Sequence, residues 1–261
     1  STTKAQNGNP TFLYQVCSTN KTTANSTYKS NLGTLFSSLS SNSTKEFYNT
    51  TVPRRTSSNT VYGLYMCRGD VSSSLCQQCV TNATQKLSTD SDCSLSKQAV
   101  IWYDECMVRY NNTSFFSTMA TRPGAFLMNT ANITNQESFM RLLFDTMNKT
   151  ADKAANSSVG AKKYATKEAS ISGFQTLYSL AQCTEDLSQQ DCRTCLSDAI
   201  QLLPRCCEGK QGGRVLLPSC NIRYELYPFY RNLAPSPSPS PSAAPGLAPP
   251  TTTSNLGGNV I

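Results

Sequence analysis

Apolar positions along the chain fall into a series of patterns that occurs twice. Thr11-Phe-Leu-Tyr-Gln-Val-Cys17 gathers aromatic and branched residues and predicts a strand. Tyr28, Leu32, Leu35, Phe36 and Leu39 follow at helical spacing and share one face. Residues 41–60, rich in Ser, Thr and Asn and holding Pro53, read as a loop with room for a short strand. Val61-Tyr-Gly-Leu-Tyr-Met-Cys67 predicts a further strand. Cys76, Cys79, Val80, Ala83 and Leu87 then stand at i, i+3, i+4, i+7 and i+11, a helix whose cysteines point inward beside its aliphatic residues. Residues 97–110, with Ile101, Trp102, Tyr103, Met107 and Val108, complete the series as strand.

The same order returns. Phe126-Leu-Met is a short first strand, and Phe139, Leu142, Leu143 and Met147 form a helical face. Phe174-Gln-Thr-Leu-Tyr-Ser-Leu leads into Cys183, and Cys192, Cys195, Leu196, Ala199 and Leu203 repeat the cysteine helix position for position. Ser188 with Asp191 reads as a capping box that fixes where this helix begins. Gly213 to Tyr230 closes the unit as strand. Two helices and several strands per unit predict an α+β fold with the helices lying on an antiparallel sheet. The expected organisation is a loose N-terminus at 1–10, units at 11–117 and 122–231, and a Pro/Ser-rich linker at 234–261. The linker opens Ala-Pro-Ser-Pro-Ser-Pro, where proline fixes φ and removes the donor, so an extended spacer is expected.

Composition changes what holds such units together. Hydrophobic residues make up 38% of 261, so each core is small, and twelve cysteines supply the remedy that small secreted domains use. Closing a ten-residue loop contributes about 3 kcal/mol in the chain-entropy model. Asn-x-Ser/Thr triplets at Asn20, Asn25, Asn42, Asn49, Asn82, Asn111, Asn112, Asn132, Asn148 and Asn156 fit passage through the secretory route. Residues 164–231 carry none, which predicts a glycan-free face on the second unit. No signal peptide is visible at Ser1 and no apolar run approaches the ~18 residues that span a bilayer, so a processed product or an excised ectodomain is expected. The net charge of +7 is spread evenly, which argues against nucleic acid and leaves weak attraction to acidic cell-wall polysaccharide.

Candidate chemistry is sparse. With no histidine there is no imidazole base, and no nucleophile sits in a recognisable setting, so no catalytic residue, cofactor or metal is expected. The Cys-x-x-Cys pairs lack histidine partners for zinc and stand on an apolar helix face, which favours structural disulfides over metal or exposed thiolate. Asp104 and Glu105, adjacent in a strand, would face opposite sides and could not act together. Arg68-Gly69-Asp70 lies in the short stretch between Cys67 and Cys76 and reads as a chance tripeptide. Tyr224, Tyr227, Phe229 and Tyr230 are expected to serve the core or the packing between units. Six cysteines per unit allow fifteen pairings, and alignment matches Cys93 with Cys207 and Cys106 with Cys220. Cys17 has no counterpart, since counting from Phe12 and Phe126 places Ala131 there, and Cys206 is the extra one.

Cys-x8-Cys-x2-Cys twice, Tyr62-Gly-Leu-Tyr, Gln211-Gly-Gly-Arg-Val and Cys220-Asn-Ile-Arg-Tyr-Glu resemble the plant ginkbilobin-homologous domain, also called the salt-stress-response/antifungal domain, over about residues 10–231. Two copies before a Pro/Ser spacer look most like the ectodomain of a cysteine-rich receptor-like kinase. Plasmodesmata-located proteins and secreted carbohydrate-binding or antifungal relatives are the alternatives. The resemblance implies a five-stranded antiparallel sheet with two helices on one face in each domain. It implies the pairs Cys17–Cys93, Cys67–Cys76, Cys79–Cys106, Cys183–Cys192 and Cys195–Cys220, with Cys206 and Cys207 either bonded to each other or free. It implies a non-catalytic sensing module on the apoplastic side of the plasma membrane, or a secreted one, with a Ser/Thr kinase only in a longer protein. Its partners would be an extracellular ligand, a cell-wall glycan or a co-receptor ectodomain, with membrane contact only through a helix beyond Ile261. A mannose site in the family uses an Asn after the first Cys, an Arg before the last and a Glu after it. Those positions are Ser18, Val100 and Asn111 in the first unit and, by count, Asn132, Arg214 and Glu225 in the second. A cross-strand ion pair between Arg214 and Glu225 is the competing expectation.

Overall fold

The structure is a computed structural model that describes residues 8–231, so the linker at 234–261 and most of the loose N-terminus lie outside the described residues. The first module runs β1 (Phe12–Cys17), α1 (Thr27–Ser41), β2 (Phe47–Val52), β3 (Val61–Cys67), α2 (Ser73–Thr89), β4 (Ala99–Tyr103) and β5 (Cys106–Asn111). The second repeats it as β6 (Ala125–Met128), α3 (Gln136–Ala155), β7 (Lys163–Ser170), β8 (Thr176–Cys183), α4 (Gln189–Cys207), β9 (Gly213–Leu216) and β10 (Cys220–Glu225). Each forms an antiparallel five-stranded sheet, in the orders β1-β4-β5-β3-β2 and β6-β9-β10-β8-β7. The fold is α+β in two tandem, disulfide-stapled copies. None of the described helices is long and apolar enough to cross a membrane.

The helices begin and face where their residues require. Tyr28, Leu32, Leu35, Phe36 and Leu39 are all buried. Ser72 and Ser188 accept hydrogen bonds from the amides of Leu75 and Asp191 at 3.2 and 3.0 Å, closing the first turns of α2 and α4. Cys76 and Cys79 on α2, and Cys192 and Cys195 on α4, sit in the core among Val80, Ala83, Leu196 and Ala199. Each helix is tied to its own sheet. Cys67 bonds Cys76 and Cys183 bonds Cys192 at the strand-to-helix turns, while Cys79–Cys106 and Cys195–Cys220 fasten helix to strand. Cys17 bonds Cys93, and Cys206 bonds Cys207, its neighbour in sequence.

Two elements depart from the pattern reading. Lys163-Tyr-Ala-Thr-Lys-Glu-Ala-Ser170 carries little strand propensity, yet all eight residues pair with β8. Asp104 and Glu105 occupy the turn between β4 and β5 rather than a strand. Pairing with β8, not local propensity, makes β7 extended, whereas a turn at Asp104 and Glu105 suits residues that strands disfavour.

The strands of β4 are buried on both faces. Ile101 joins the helix-side core, while Val100 and Trp102 form a second cluster with Leu64, Met107, Phe115 and Leu216 of the other module. The helix-free faces of the two sheets therefore meet, and the chain to Arg231 is one compact unit. Polar contacts at the seam are reciprocal. Asp70 accepts the amide of Arg231 at 2.9 Å, and Asp186, at the matching place in the second module, accepts that of Ser117 at 2.7 Å. Gln182 donates to the Cys67 carbonyl at 2.9 Å and accepts from the Gly69 amide at 3.2 Å.

Candidate functional site

Strand register settles which residues of the two modules correspond. In the first, Cys17 pairs with Ala99, Ala99 with Tyr110, and Val100 with Arg109. In the second, Met128 pairs with Gly213, Gly213 with Tyr224, and Arg214 with Arg223. Met128 therefore stands where Cys17 stands, and Asn129, not Asn132, follows it. The count from Phe12 and Phe126 fails because the two phenylalanines are not equivalent: by register Phe126 aligns with Gln15, three places further on. Asn132 lies further out, in an isolated bridge with Lys210, and its side-chain oxygen accepts from the Lys210 ammonium at 2.8 Å.

Asn129, Arg214 and Glu225 line one open groove of about 240 Å³, together with Met128, Arg223 and Tyr227. Strands β9 and β10 supply the charged side chains on the helix-free face. Arg214 and Glu225 do not pair with each other, which corrects the ion-pair expectation: Arg223 stands between them. Arg223 Nε donates to Glu225 Oε1 at 3.2 Å, and Arg214 Nη1 donates to Asp104 Oδ1 at 2.9 Å. Arg223 Nη1 reaches the same Asp104 oxygen at 3.2 Å, and Arg68 Nη1 reaches it at 3.3 Å. Arg223 also lies over the Phe229 ring at 4.2 Å and donates to the Tyr227 hydroxyl at 3.1 Å.

Burial raises the Asp104 carboxyl, but Arg68, Arg223 and Arg214 outweigh it and hold it below the usual carboxylate range. Burial pushes the Glu225 carboxyl up, and the same two groove arginines oppose this without cancelling it. Close packing shapes the acid. A side chain at Gly212 would place its Cβ 2.0 Å from Glu225 Oε2. Asn129 accepts the Ala131 amide on Oδ1 at 2.9 Å, which leaves its Nδ2 as a donor. Among the described residues only Nη1 of Arg214 is bonded to protein, so Nε and Nη2 are available to a ligand. The arrangement offers planar donors beside a carboxylate acceptor and a half-exposed tyrosine ring, a set that suits neighbouring hydroxyls on a sugar.

The first module lacks this set at Ser18, Val100 and Asn111. Arg109, the counterpart of Arg223, packs over Phe115 at 4.1 Å instead. Other sequence candidates resolve simply. Arg68 and Asp70 bond each other at 2.6 Å and Asp70 is buried, so that tripeptide is not presented. Tyr224 is core, Tyr230 is buried at the seam and Tyr227 is exposed. Asn20, Asn25, Asn132 and Asn156 are exposed, whereas Asn42 and Asn148 spend their amide groups on the Ser38 and Phe144 carbonyls at 2.8 Å. Asn129 and Arg223 were not among the sequence candidates; Tyr227, expected to serve the core or the packing between units, is instead exposed at the groove, and Asp104 was set aside as half of an adjacent carboxylate pair. The Arg223-Tyr-Glu225 alternation, which puts both charges on one face, carried the signal for Arg223.

Comparison with known proteins agrees with this architecture. The family model described as salt stress response/antifungal matches residues 16–113 and 127–227. The chain belongs to that family. Within the salt-stress-response/antifungal family it is 48% identical over 251 residues to cysteine-rich receptor-like protein kinase 25 of Arabidopsis thaliana, covering 90% of this chain and 36% of the kinase. It is 38% identical over 218 residues to an antimicrobial ginkbilobin-2-like protein of Castanea crenata, covering 83% of this chain and 88% of that protein. The crystal structure of the tandem DUF26 ectodomain of the Arabidopsis thaliana cysteine-rich receptor-like protein PDLP8 superposes with a TM-score of 0.71 at 27% identity, over 82% of this chain and 98% of that one. The chain thus spans about a third of the length of the receptor-like kinases it matches. These likenesses support an extracellular module.

Proposed function

We propose that this chain is the recognition portion of a cysteine-rich receptor-like kinase and that the second module's groove takes a mannose-type saccharide of the cell wall. The observation that carries the saccharide reading is the convergence of Asn129, Arg214 and Glu225 on one groove, reached through strand register rather than by counting. The receptor reading is supported by identity to the kinases over 90% of this chain. It is non-catalytic in this chain and acts outside the cell, with the glycan or a co-receptor ectodomain as partner.

The saccharide test is calorimetric titration of the folded chain with yeast mannan and methyl α-mannoside. Saturable binding that galactan does not reproduce supports the reading; no heat from a folded sample overturns it. The receptor reading is tested separately by the coding sequence after Ile261. A run of ~20 apolar residues followed by a kinase supports it, and a stop codon before any such run would favour a secreted carbohydrate-binding protein.

A further inference from the structure

We propose that Asp104, a residue of the first module, is the positioning residue for both arginines of the second module's groove. Arg214 and Arg223 stand directly opposite each other on β9 and β10, and two like charges in that relation repel. Glu225 bonds only Arg223 among the described residues. Among the described residues Asp104 is the acid that bonds both, at 2.9 and 3.2 Å. Its own placement is fixed from the first module's side. Arg68 reaches Asp104 at 3.3 Å and is itself held by Asp70 at 2.6 and 3.1 Å, with Asp70 buried under the amide of Arg231.

The device runs in one direction only. Pro218 occupies in the second module the turn position that Asp104 holds in the first, and proline offers no acceptor side chain. Val100 takes the place of Arg214, so the first module has no arginine pair to hold. A long arginine left free on a groove loses rotamer freedom when a ligand fixes it, and an arginine already fixed does not, so the contact favours binding. The groove is therefore a product of the tandem, with its ligand-facing atoms in one module and their support in the other.

The effect on binding rests on the saccharide reading above; the placement of the guanidiniums does not, and the test separates them. The Nε–H resonances of Arg214 and Arg223 are followed in ¹⁵N-arginine-labelled full chain, and the same samples are titrated with yeast mannan. Asp104→Asn keeps the shape and removes the charge, Asp104→Ser removes the carboxylate, and Asp186→Asn, at an acid that does not line the groove, disturbs the seam contact to Ser117. Both Asp104 variants are expected to shift the two arginine resonances and speed their hydrogen exchange roughly tenfold, with mannan affinity falling about tenfold. Asp186→Asn is expected to change either quantity less than about twofold. Unchanged arginine resonances in folded Asp104→Asn overturn the proposal, as do equal effects from Asp186→Asn. Altered resonances in a protein whose wild type takes no mannan uphold the positioning role and dispose of the saccharide.

Discussion

The two modules share strand order, helix faces and the reciprocal aspartates of their seam, yet they solve one corner differently. In the first, Cys17 on β1 is bonded to Cys93 beyond α2, a link across 76 positions. In the second, the strand position of Cys17 is Met128, half exposed, and the cysteine left behind on α4 bonds its neighbour, Cys206 to Cys207. The corner with the long-range staple has no groove chemistry. The corner without it carries Asn129 in place of Ser18, Arg214 in place of Val100 and Glu225 in place of Asn111. The first copy supports the second copy's groove through Asp104, and the edge strand beside that groove carries no disulfide where its counterpart β1 is bonded through Cys17.

The sharpest way to break this contrast is to remove the two unequal bridges. In the chain-entropy model the Cys17→Ser/Cys93→Ser double variant loses about 4 kcal/mol because the loop it opens is long. Cys206→Ser/Cys207→Ser opens almost no loop and is expected to cost close to zero by the same reasoning. Urea unfolding midpoints of the two variants decide it, and equal losses would remove the distinction between the corners.

A smaller effect is expected at the next equivalent pair. Ala99 of β4 corresponds to Gly213 of β9. A Cβ at Gly213 would lie 2.8 Å from Cys207 Sγ and 3.1 Å from the Tyr224 ring, and a bonded sulfur cannot swing away. Gly213→Ala is expected to destabilise by about 1–3 kcal/mol through overpacking. Ala99→Gly, in the module that tolerates the methyl, is expected to cost roughly 0.5–1 kcal/mol. Thermal unfolding of both variants measures the difference.

The smallest effect concerns pH. Glu185 stands where the first module has Gly69, and burial, with Glu46 adding to it against Lys162 and Lys163, pushes its carboxyl from the ordinary 4.5 up to about 7. The folded chain thus binds this proton more tightly than the unfolded chain. The stabilisation is full below about 4.5 and is lost as pH rises through about 7. Glu185→Gln is expected to flatten that decline and to raise Tm by roughly a few degrees at pH 8. A wild-type Tm that climbs between pH 5 and 8, once other titrating groups are matched by the variant, would reverse the sign.

Much of this was legible in the chain itself. The periodicity of Cys76, Cys79, Val80, Ala83 and Leu87 placed α2 and its buried face, and Ser188 marked the start of α4 within the observed cap. The edge strand β7 was not legible, because Lys163-Tyr-Ala-Thr-Lys-Glu-Ala-Ser170 has no apolar alternation and a single branched residue, Thr166, and is extended through its pairing with β8. The groove was half legible. Arg214 and Glu225 follow from motif spacing near a fixed cysteine, but Asn129 needed the register of β6, which has no cysteine to anchor the count. Asp104 was out of reach, since its role depends on how the sheets meet rather than on anything near it in sequence.

The account turns on recognition residing in the second module, and exchanging the differing residues tests it most directly. Mannan titration of Arg214→Val and Glu225→Asn, which install the first module's own residues, is predicted to show binding lost at least tenfold with Tm held within a few degrees of wild type. Wild-type affinity in both folded variants would contradict it.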